Sequence, residues 1–146
     1  MSGNLSDPLA KTAIFTAIAL ALITPTVTCY DMMSPTRVRL AKTHMHIRGG
    51  GGITIPYHEI DTVQLIRWQE IPSPVSRKRG GSSTNFKKGL FASVTGEELY
   101  LYLHKPKEAK YIILIKRDQK PDIYYTSNKA QAYEQLTMSI ERAASE

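Results

Sequence analysis

The sequence predicts a mainly β domain, a curved sheet or partly open barrel of about seven antiparallel strands capped by one C-terminal α-helix, behind a short apolar N-terminal segment. Three observations predict it. Between residues 37 and 125, short runs alternate apolar with polar side chains and are punctuated by glycine and proline. Apolar positions at three- and four-residue spacing return only near the end, in residues 130–144. Residues 13–24 are different again, an unbroken apolar run in which Thr16 and Thr24 are the polar exceptions.

That N-terminal run divides the chain into an apolar segment, 1–34, and a folded domain, 35–146. Ala13, Ile14, Phe15, Ile18, Leu20, Leu22 and Ile23 leave it no polar face, so a helix made from it belongs in lipid or in a protein interior. Counted from Thr12 to Val27 it has sixteen residues, just under the roughly 17 to 25 that span a bilayer. Read as a membrane anchor, it is oriented by Arg37, Arg39 and Lys42 after it against Lys11 before it, which puts the folded domain in the cytoplasm. A secretory signal and an element docked in the domain's own core are the alternatives, the last giving a soluble cytoplasmic protein; against the signal stand a scarcely positive start and no small-residue cleavage site.

In the folded domain, Val38 and Leu40 alternate with Arg37 and Arg39, and Met45 and Ile47 with His44, His46 and Arg48. This is the period of half-buried strands. Gly49, Gly50, Gly51 and Gly52 then predict a tight turn. Ile53-Thr54-Ile55 resumes a strand that Pro56 ends, and residues 61–68 form the next. Residues 70–85 hold Pro72, Pro74, Gly80, Gly81 and the Ser82-Ser83 pair, which predicts a long mobile connection. Strands are expected over 86–95, over 98–103 with Leu99, Leu101 and Leu103 facing one way, over 110–116 with burial on both faces, and at 123–125. Thr126 or Ser127 is expected to cap the final helix, whose apolar face carries Ala130, Tyr133, Leu136, Thr137, Ile140, Ala143 and Ala144.

The chain has 19 Lys and Arg against 13 Asp and Glu, a formal charge of +6. Residues 37–88 carry ten bases and three acids, so the whole surplus lies in the middle of the chain. Such a field favours acidic partners and says nothing of the fold. The lone Cys29 closes no intrachain disulfide and by itself makes no zinc site.

The order of elements and the turn residues resemble a bacterial pleckstrin-homology (PH)-like domain. The resemblance runs through His46-Ile47-Arg48 and the four glycines to Ile53-Thr54-Ile55-Pro56-Tyr57-His58-Glu59-Ile60, then Phe86-Lys87-Lys88-Gly89-Leu90-Phe91 and Glu98-Leu99-Tyr100-Leu101-Tyr102, and ends in the Ile112 to Ile115 and Ile123 to Thr126 strands and the last helix. It covers residues 37–144. It implies a seven-stranded superfold of two orthogonally packed sheets capped by a helix, with no catalytic residues to carry over. On the residues themselves, Ile53, Ile55 and Ile60 are expected inward, and Gly89 marks a bulge or a close backbone approach.

No catalytic constellation stands out, so the expected class is a non-enzymatic binding module without cofactor. Arg77, Lys78 and Arg79, with Lys87 and Lys88 after them, are the candidate ligand-binding residues, a flexible basic loop reaching anionic lipid head groups. A protein segment laid between an edge strand and the final helix is a second occupant, and assembly of copies through sheet edges is an alternative role. His44 and His46 share a strand face but lack a third metal ligand. Tyr100, Tyr102, Tyr124 and Tyr125 beside basic residues raise base stacking, but such rings more often pack under a helix, so nucleic acid is not the expected partner.

Overall fold

The apolar N-terminal run belongs to a longer helix than its sequence boundaries predict. In the computed structural model, which describes residues 8–145, helix α1 extends over Pro8–Met33 and continues through Pro25. The stretch 1–7, the beginning of the 1–34 segment, lies outside the described residues. Pro25 removes one helical N–H. The Thr26 hydroxyl donates to the Leu22 carbonyl at 2.8 Å, and Thr12 and Thr16 bond back in the same way to Pro8 and Thr12. Threonine thus hides its hydroxyl against the helix and leaves the outer surface apolar. Lys11–Met33 is long and apolar enough to cross a membrane, about 34 Å at 1.5 Å per residue. Its apolar side chains are exposed in the chain itself, Phe15 at 72% and Leu22 at 65%. By composition and position alone the same helix also satisfies the description of a signal sequence.

The chain divides into two compact units, the first ending at Asp31 and the second beginning at Met32. The second unit is mainly β, with nine strands among the described residues and one C-terminal helix. Strands β1 (Arg37–Leu40), β2 (His44–Arg48) and β3 (Ile53–Pro56) make a three-stranded antiparallel meander. Its alternation is as read from the sequence: Met45, Ile47 and Ile55 are fully buried, while Arg37, Arg39, Arg48 and Thr54 are exposed on the other face. The glycine turn closes through a bond from the Gly52 N–H to the Gly49 carbonyl. All four glycines have positive φ, a path open to glycine without a steric cost. A 3-10 turn at Tyr57–Glu59 follows Pro56.

A six-stranded sheet carries the rest, in the order β4-β8-β9-β7-β6-β5. Its members are β4 (Thr62–Ile66), β5 (Pro74–Ser82), β6 (Phe86–Ser93), β7 (Glu98–His104), β8 (Tyr111–Arg117) and β9 (Lys120–Ser127). Two expectations are corrected here. Residues 74–82 are not part of a mobile connection; they form β5, paired along its length with β6. The pairing is also not wholly antiparallel, because β7 and β9 run parallel. The chain leaves β7, passes over to β8, and turns back at Asp118 and Gln119, so that β9 enters between them. The two sheets are separate and open, not a closed barrel, and the strand count exceeds seven.

Helix α2 (Ala132–Ala144) starts later than predicted, at an N-cap, Gln131, that makes no side-chain capping bond. Thr126 and Ser127 do not cap it. They end β9, where the Thr126 hydroxyl accepts the His104 N–H at 3.0 Å. Leu136 of α2 is fully buried, with Tyr133, Ile140 and Ala143 packed beside it. This cluster joins Met45, Ile47 and Ile55 to Tyr102, Ile113, Ile115, Ile123 and Tyr125 of the large sheet. Phe91, Leu99, Leu101, Leu103, Leu114 and Tyr124 form a second cluster on the opposite face of that sheet. Burial on both faces explains the continuous apolar run of β8, where Ile112, Ile113, Leu114 and Ile115 are all buried.

Candidate functional site

The five candidate bases do not form one patch, because adjacent residues on a strand face opposite sides. Lys87 pairs in register with Leu103 and Lys88 with Tyr102, which places the two lysines on different faces of the large sheet. Lys88 is 1% exposed, and its ammonium donates to the Ser34 carbonyl at 2.6 Å. It is therefore part of the packing and does not present its charge to a surface. Arg77, Lys78 and Arg79 are exposed on β5, in a strand and not a loop, and Lys87 is half-buried. Lys78 is paired with Glu98.

The glycine turn brings the small sheet onto this edge. A Cβ at Gly50 would lie 2.6 Å from the Lys88 backbone, and one at Gly51 would lie 3.8 Å from the Arg79 guanidinium Nε. Arg48 immediately precedes the turn and is the cross-strand partner of Arg37, with Arg39 opposite His46. Like charges directly opposite one another oppose the pairing. The outer face of the small sheet consequently presents three arginines, with Lys42 at its hairpin and no acid on its strands. The alternation of arginines with apolar residues carried this signal in the sequence.

The chain enters the β unit at the same end. A Cβ on Gly81 would meet the Met32 sulfur at 3.0 Å, Ser34 receives Lys88, and the Thr36 hydroxyl donates to the Tyr102 carbonyl at 2.7 Å. Residues 32–36 are thus fixed between the large sheet and the beginning of β1, one residue before Arg37.

Below that entry a groove of about 280 Å³ runs between β1, the end of β9 and the start of α2. Val38, Tyr125 and Ala132 form apolar parts of its wall, and Arg37 and Lys129 supply charge. His104 also lines it, with a buried Nδ1 that has no hydrogen-bond partner. Burial, assisted by the nearby Lys88 and Lys105 charges and opposed by Glu108, depresses the His104 pKa. Elsewhere, Glu59 lies 2.7 Å from Lys120 and 3.8 Å from Arg117. The hydrogen bond from Lys120 is the main cause of its lowered pKa.

The remaining candidates have structural partners. His46 Nδ1 lies 2.9 Å from the Thr54 hydroxyl and His44 Nδ1 3.3 Å from that of Thr43. No group of three or more His, Cys, Asp or Glu side chains suited to a metal occurs among the described residues. Tyr102, Tyr124 and Tyr125 are buried, and burial pushes the Tyr124 hydroxyl up to about 12. Tyr100 stacks on Tyr102 at 6.4 Å and lies under the Arg117 guanidinium at 5.8 Å. Trp68 is 40% exposed beneath the Lys107 ammonium. No family model, curated protein or solved structure matches the chain.

Proposed function

We propose that this chain is a non-catalytic, PH-like interaction module held at a membrane by α1, with the basic end of its β unit turned to anionic lipid head groups. The observation that carries this reading is the chain entry. Ser34 and Thr36 are tied to Lys88 and Tyr102 directly after a helix of membrane-spanning length, and Arg37, Arg48 and Arg79 lie around the same end. Each base near a charged bilayer surface contributes on the order of 1 kcal/mol. A covalent tether removes most of the cost of bringing weak charges to the surface. The excess of Arg and Lys after the helix supports a cytoplasmic side for the β unit in this reading. The PH-like reading draws on the order of elements along the chain, the glycine turn and the terminal helix, and the six-stranded sheet with its parallel β7–β9 pair departs from it.

Alkaline washing of membranes from cells expressing the full chain tests the anchor, and the protein should stay in the pellet. Limited trypsin digestion of the reconstituted chain tests the surface. Cleavage after Arg37, Arg48 and Arg79 should be slower in bilayers containing phosphatidylglycerol than in phosphatidylcholine alone, and equal rates would reject the surface contact. The open edges of both sheets, with Val75 of β5 68% exposed, favour one second reading: assembly of copies through strand edges. A light-scattering concentration series in detergent should then show a mass that rises with concentration.

A further inference from the structure

The groove between β1 and α2 has the construction of a peptide site. Strand β1 is an edge strand, and the bond from the Ala41 N–H to the His44 carbonyl fixes which of its backbone groups face β2. In an antiparallel pair those groups alternate, so residues 37, 39 and 41 pair with β2 while Val38 and Leu40 turn their N–H and C=O outward. Val38 and Leu40 both line the groove.

The groove's charge is one-sided. Arg37 and Lys129 line it, and no Asp or Glu does. Ala132 begins α2 at its edge, where the helix dipole is positive and Gln131 provides no side-chain cap. These features share a preference for an occupant with its own unpaired strand backbone and negative side chains.

We propose that an extended peptide segment carrying carboxylate side chains docks in this groove, adding as a fourth strand to β1 with its acidic groups toward Arg37, Lys129 and the start of α2. This names a partner for the interaction module proposed above and rests on that reading. Strand addition supplies affinity through the main chain, and the groove charge selects the side chains.

The test uses the full chain in nanodiscs of phosphatidylcholine, with a fluorescent, end-blocked peptide of alternating glutamate and valine as probe. Saturable binding is expected. Methylating alternate peptide nitrogens, or replacing glutamate by lysine, should weaken it by about tenfold or more, equivalent to at least about 1.4 kcal/mol. Ala132→Trp should fill the groove and abolish binding, and Lys129→Glu, at an exposed position, should shift preference toward the lysine peptide. Neither change should alter the trypsin protection by anionic bilayers, so failure here is separable from failure of the membrane reading. Equal binding of the N-methylated peptide, no binding of the acidic one, or unchanged binding to both variants overturns the proposal. A concentration-dependent dimer that Ala132→Trp dissolves would assign the groove to a second copy and overturn it equally.

Discussion

Gly80 and Gly89 face each other across the β5–β6 ladder with no room for a side chain on either. A Cβ on Gly80 would lie 1.9 Å from the Lys88 carbonyl oxygen, and one on Gly89 would lie 2.1 Å from that of Arg79. Both also have positive φ, +100° and +130°. The pair lets the two backbones approach closely enough to hold an edge strand that buries almost no side chains.

Alanine at either position should therefore detach β5, with a loss of about 3 kcal/mol or more in denaturant unfolding. Gly96→Ala is the control. Its φ is +85° but nothing lies within 4 Å of the added Cβ, so only the backbone strain of about 1 to 2 kcal/mol should appear. Equal effects at all three positions would refute the close-approach account.

Lys87 and Lys88 should separate cleanly in mutation. Lys88→Ala removes a buried ammonium with a carbonyl partner and should cost about 2 kcal/mol or more of stability. Lys87→Ala, at a half-buried position, should stay within about 1 kcal/mol. Thermal unfolding of the two variants in detergent checks both.

His104 gives the β unit a weakness in mild acid. Its folded-state pKa is depressed, first by burial and then by Lys88 and Lys105, so the unfolded chain takes up the proton more readily. The stability it confers is full above its ordinary value near 6.5 and is lost as pH falls from there toward the depressed folded value. The unfolding midpoint should thus decline below about pH 6.5, and His104→Gln should flatten that part of the profile. An unchanged slope in the variant would assign the decline to other groups.

These relationships differ in how far the sequence displays them. The small sheet was legible because each of its strands buries one face: Met45, Ile47 and Ile55 alternate with polar residues, and the four glycines can make only a turn. Strand β5 was not, because an edge strand held by its backbone shows no alternation, and Arg77, Lys78 and Arg79 are all exposed. The parallel β7–β9 pair depends on where the chain crosses over, which side-chain patterning does not encode. Within the candidate site, the cross-strand arginines were visible as a period of two. The burial of Lys88 was hidden, since its composition matches that of Lys87 and only the register with Tyr102 turns it inward.

The claim on which the account turns is that the basic end of the β unit faces the bilayer, and depth-dependent fluorescence measures it most directly. In a Cys29→Ser background, which removes the chain's one cysteine, single labels at Ser82→Cys on β5 and Glu141→Cys in the last turn of α2 report two separate elements of the unit. The full chain is placed in nanodiscs bearing a head-group quencher. The account predicts strong quenching at position 82 and little at 141 when phosphatidylglycerol is present, with the difference reduced by high salt. Equal quenching at the two positions, or quenching at 82 that is the same in neutral bilayers and indifferent to salt, would contradict it.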